Sequence, residues 1–122
     1  MPIGSAALIR QIAGRGCFAR VRLDVSPSDP PRKMEFAEAV TDHWYLPAVQ
    51  VGINYAWDRL LVEGQKPPQV SVRVLELATS NVDTTELMVV YVSALALCDG
   101  LSMSLRNPIE IDIANRRLSF AL

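Results

Sequence analysis

Val82-Asp83-Thr84-Thr85-Glu86-Leu87 constrains the fold more than any other stretch, because it opens a helix directly from a strand. Asp83 is placed to accept from the free N–H groups of a first helical turn, and Glu86 to reach back to the cap. Both acids also complement the positive end of the helix dipole. Before them, Val70 to Leu77 alternates as a strand, with Val70, Val72 and Val74 turned inward. After them, Met88 to Cys98 is apolar all round, which predicts the most buried helix, from Thr84 to about Cys98, stopped by Asp99-Gly100.

The rest of the chain supplies partners for that unit. Met1 to Ala13 reads as an extended lead-in, punctuated by Gly14-Arg15-Gly16. Cys17 to Val25 is a one-side-buried strand: Ala19, Val21, Leu23 and Val25 share one face, and Phe18, Arg20, Arg22 and Asp24 the other. Prolines at 27, 30 and 31 end it. Met34 to Val40 suits a helix by propensity and a strand by the placing of Met34, Phe36 and Val40. Leu46 to Val62 is a helix with Pro47 in its first turn. Its apolar stripe is Val49, Ile53, Trp57, Leu60 and Leu61, with Gln50, Asn54 and Asp58 facing away. Gly64 stops it, and Pro67-Pro68 prevents its resumption. Ile109, Ile111 and Ile113 alternate with acids, and Leu118, Phe120 and Leu122 alternate after a turn, so 109–122 reads as a terminal hairpin. The whole predicts one α+β domain over 1–122, a two-layer sandwich with two helices on one face of a mixed sheet.

Composition narrows the function. The 122 residues are 50% hydrophobic and 20% charged, as in a globular domain. A mean hydropathy of +0.19 leaves two readings: apolar surface covered by a partner or second copy, or helices fully covered by one sheet. Net charge is −1, whereas polyanion binders carry a basic excess. Arginine supplies ten of the twelve basic residues, which suits local phosphate or carboxylate contacts. No apolar run reaches membrane-spanning length and no signal-peptide pattern opens the chain, so the expected location is cytoplasmic. Cys17 and Cys98 read as buried free thiols, and with His43 the single histidine, a zinc site of the usual spacing is not expected. No G-x-x-x-x-G-K-S/T phosphate loop is present, so GTPase chemistry is not expected, and no nucleotide or other cofactor is assigned.

Several motifs, in one order over about residues 10–109, resemble the fourth domain of translation elongation factor G. Arg10 to Ala19 is similar to that family's K/R-Q-x-G-G-R-G-Q-Y-G, and Glu35-Phe36 to its E/Y-E-F strand. Tyr45 to Ile53 is close to E-Y-I-P-A-V-x-x-G-I, and Val82 to Leu87 to V-D-S-S-E-L/M. Leu105-Arg106-Asn107-Pro108-Ile109 is similar to the L-L-E-P-I that opens the family's next domain. The resemblance assigns Met34 to Val40 to a strand. It implies the split β-α-β fold with a left-handed crossover, shared with a small-subunit ribosomal protein domain. It also implies a translation role, with the ribosome, ribosomal RNA or a ribosomal protein as partner. Two tip elements depart from the family: the loop before the first helix is shorter, and Ser80, with Asn81 beside it, stands at the tip histidine. Ser80 offers a hydroxyl but no imidazole.

Candidate sites follow. Asp83 and Glu86 suit acid–base work, but a capping box already explains both. His43, beside Asp42 and Trp44, reads as an exposed loop histidine, and no serine or cysteine shows a base partner, so no catalytic residue is assigned. Phe18, Arg20, Arg22 and Arg73 are candidate RNA or partner contacts on an outward sheet face, joined by Thr79, Ser80 and Asn81 in the loop tip. The same face also reads as a solvated surface balanced by Asp24 and Glu110, or as one buried against another copy in a homodimer.

Overall fold

Alternation in the second strand sets the layering of the computed structural model, which describes residues 3–12, 15–27, 34–37, 40, 43–80, 84–106, 109–112 and 117–120. Strands β1 (Ile3–Ile12), β2 (Arg15–Pro27), β4 (Val70–Thr79) and β3 (Met34–Phe36) lie side by side in that order. β1, β2 and β4 pair antiparallel, and β3 joins β4 in parallel. Ala19, Val21, Leu23 and Val25 are all buried, as are Val70, Val72 and Val74, so both strands point these faces at the helices. The helices are α1 (Leu46–Val62), after a short 3₁₀ turn at His43–Tyr45, and α2 (Glu86–Leu101). The α+β sandwich is therefore as expected: a mixed four-stranded sheet with two helices. β4 separates the sequential pair β2 and β3, and the β3–α1–β4 unit closes on directly paired strands.

α1 keeps its expected bounds and ends in a Schellman turn: Gly64 N–H donates to Leu61 O and Gln65 N–H to Leu60 O, with Gly64 at φ 80°. Val49, Ile53 and Leu60 are buried, but Leu61, assigned to the same stripe, is 50% exposed. α1 also approaches α2 closely at Gly52. A Cβ on Gly52 would run into the Val90 carbonyl and Ser93, so only glycine admits this helix–helix approach.

α2 corrects its expected ends. Its N-cap is Thr85, whose hydroxyl accepts from Met88 N–H at 3.4 Å, and Glu86 is the first helical residue rather than the far partner of a capping box. Glu86 still meets the positive helix end. Asp99 and Gly100 lie inside the helix. Gly100 packs on Gly4 of β1, where a Cβ on Gly4 would collide with the Ala96 carbonyl. The stop is Ser102, left-handed at φ 54°, where Ser102 N–H reaches Asp99 O and Met103 N–H reaches Cys98 O. The lead-in proves to be the full strand β1, and β3 is shorter than the expected 34–40. The terminal hairpin forms as β5 (Ile109–Asp112) and β6 (Arg117–Phe120), a separate two-stranded sheet beside α2. Asn81, Asp83, and the side chains of Cys17 and His43 lie outside the described residues.

Candidate binding face and tip

The side of the sheet away from the helices gathers the candidate arginines. Arg20 and Arg22 are exposed on β2, and Arg73 is exposed on β4. Acids stand between them. Arg20 Nη2 lies 2.7 Å from Glu76 Oε1, Arg22 is opposite Glu76 in register, and Arg73 sits between Asp24 and Glu35 on the flanking strands. Ser26 Oγ donates to Asp24 Oδ1 at 2.8 Å. Among the described residues, Arg20 and Arg22 thus share Glu76, Arg73 has an acid on either side, and the formal charges of these six groups cancel. Glu110, expected to help balance it, belongs to the separate β5–β6 sheet.

Glu76 escapes the sequence pattern for a physical reason. Strict alternation from Val70, Val72 and Val74 turns it into the core. A β-bulge intervenes: Leu23 pairs with Val74 while Arg22 pairs with Glu76, leaving Leu75 as the extra residue. The bulge moves Glu76 to the open face and Leu77 to the inner one. An acid in core register between Leu75 and Leu77 is the signal that alternation breaks there, since burying it unpaired is costly.

Toward one end the face becomes apolar. Ile9 of β1, 72% exposed, is opposite Phe18 of β2, with Ala7 opposite Arg20 and Ala78 beyond. At this end the chain is knotted by Thr84, a residue with no expected role. Its buried hydroxyl donates to Phe18 O and accepts from Ser80 N–H at 2.7 Å. Thr84 N–H donates to Ser80 O at 3.2 Å, and Tyr45 Oη donates to Thr84 O at 3.2 Å. One threonine therefore ties β2, the β4–α2 loop and the start of α1, and so joins the candidates Phe18 and Ser80. Thr79 pairs with Ala19 on the inner register, apart from the arginine face. Both helices begin at this tip. Trp44, 77% exposed, precedes a groove of about 460 Å³ between Pro47 and Val51 of α1 and Leu87 and Val90 of α2, with Glu86 at its edge.

Cys98 is free and buried, and burial, reinforced by the nearby Glu63 carboxylate, pushes its thiol up to about 11, so it stays protonated at neutral pH. It borders an open pocket of about 560 Å³ lined by Leu95, Met103, Leu105 and Ile109 and by the polar Asp99, Ser102 and Ser104. Among the described residues, no group of three or more His, Cys, Asp or Glu is placed to hold a metal ion. Among the same residues, no helix is long and apolar enough to cross a membrane.

No family model matches the chain. Among solved structures, the chain is similar to a protein from Thermus thermophilus, with a TM-score of 0.66 over 79% of this chain at 21% identity. The likeness is one of fold. The chain matches 15% of that protein's length, a single domain's worth of a much larger molecule.

Proposed function

We propose that this chain is a non-catalytic, protein-binding domain on a scaffold of the elongation factor G domain IV type, cytoplasmic and without GTPase activity. One observation carries the reading: the arginines of the open face are interleaved with Glu76, Asp24 and Glu35, beside the apolar Ile9–Phe18 end. A polyanion is held by uncompensated positive charge and counterion release, which a cancelled face does not supply. An apolar patch adjoining paired arginines and acids instead suits a protein interface. The acidic pI of about 5.8 points the same way.

A second reading, a translation accessory touching ribosomal RNA or a ribosomal protein, draws on the tip. There the Thr84 knot brings Phe18 and Ser80 beside both helix starts and the exposed Trp44. Co-sedimentation with ribosomes at low and high salt separates the two. The protein-binding reading expects no salt-sensitive pelleting. Pelleting that high salt abolishes and that Arg20→Ala with Arg22→Ala weakens would establish the second reading in its place.

A further inference from the structure

β1 is the long edge of the sheet. Among the described residues it pairs only with β2, leaving its other side without a strand. Such an edge invites another strand unless charge, proline or a bulge blunts it. Ile3–Ile12 contains no proline or lysine, its one charged residue is Arg10, and its register with β2 is unbroken.

Only half of this edge is guarded. Asp99 of α2 reaches over the sheet margin, and its Oδ2 accepts from Ser5 N–H at 2.9 Å. This bond shows that the main-chain groups of Ser5 point away from β2. By strand alternation those of Ala7 and Ile9 point the same way. The first half of the edge is therefore closed by Asp99 and by the Gly4–Gly100 contact. Among the described residues, no strand pairs with the free side of Ala7 to Gln11, and Ile9 at its centre is 72% exposed.

We infer that this open half pairs with the same segment of a second copy, antiparallel about a two-fold axis at Ile9. In that register each Ile9 N–H donates to the other Ile9 carbonyl, and Ala7 stands opposite Gln11 of the second copy on either side. The groups that bond are those already directed at the free edge, and neither Asp99 is displaced. The register is also self-complementary on the open face. Ile9 is opposite Phe18 within each copy, so pairing about Ile9 continues a row of Phe18, Ile9, Ile9 and Phe18 across the joint. Ile3, Ser5, Ala7 and Ile9, the open-face residues of the strand, bring no charge to oppose a like copy. Pairing about Ala6 would match Ile3 with Ile9 but would break the Ser5–Asp99 bond in both copies. The inference rests on the protein-binding reading and names its partner.

Sedimentation equilibrium of the full chain over about 1 to 300 μM is the test, a range suited to a small interface. The expected result is a salt-insensitive monomer–dimer equilibrium, weakened at least about tenfold by Ile9→Lys and by Ala7→Pro. Proline at position 7 removes an N–H that faces away from β2, so the β1–β2 ladder is left whole. Cysteine cross-linking reads the register. In a hydrogen-bonded antiparallel pair the Cα atoms are about 5.5 Å apart, within disulfide reach. Ile9→Cys should give a disulfide-linked dimer on mild oxidation, and Ile3→Cys and the parent chain should not. A monomer throughout the range, or a dimer indifferent to Ile9→Lys and Ala7→Pro, would overturn the pairing. A monomer that also ignores ribosomes ends the pairing alone, whereas salt-sensitive ribosome binding ends the reading beneath it.

Discussion

Thr84 and Phe18 lie 66 residues apart in sequence, and the threonine hydroxyl donates to the Phe18 carbonyl while accepting from Ser80 N–H. Both main-chain groups sit at the edge of the core, where water is a poor substitute. Thr84→Val keeps the shape and removes both bonds. The expected loss is about 2 to 3 kcal/mol, read by urea unfolding, with Thr84→Ser losing much less. Equal losses for Val and Ser would place the effect in packing rather than in the hydroxyl.

Ser102 ends α2 in the left-handed region at φ 54°, a conformation that crowds its Cβ. Glycine has no such contact, so Ser102→Gly is expected to stabilise the domain by about 0.5 to 1 kcal/mol despite the greater freedom of the unfolded chain. The check is a higher urea midpoint at unchanged slope.

Cys98 makes stability fall at alkaline pH. Its thiol is raised from the ordinary 9.0 to about 11 in the fold, so the folded state holds this proton more tightly than the unfolded one. The contribution is complete below pH 9.0 and is lost as pH rises through about 11. Unfolding free energies measured across that window should show a decline that Cys98→Ala, though less stable overall, lacks.

The layering was legible wherever one period ran unbroken. β2 assigns Ala19 to Val25 inward by strict alternation, and α1 has its bounds marked by Pro47 and Gly64. Irregular backbone hid the rest. The bulge at Leu75 turned Glu76 onto the arginine face, converting the candidate contacts there from a basic patch into a cancelled one. Gly100 reads as a helix stop but serves close packing on Gly4, while the stop is a left-handed serine. Thr84 has no local signature, because its partners come from β2, the β4–α2 loop and α1. Asp99 likewise shows its edge-guarding role only once α2 lies against β1.

The cancelled charge of the open face is tested most directly by titrating labelled single-stranded RNA with the chain, followed by fluorescence anisotropy at physiological and low salt. A flat titration for the parent chain is expected at physiological salt, with Glu76→Lys, which leaves Arg20 and Arg22 uncompensated, gaining salt-sensitive affinity. Salt-sensitive binding by the parent chain, reduced by Arg20→Ala and indifferent to Glu76→Lys, would contradict the protein-binding reading.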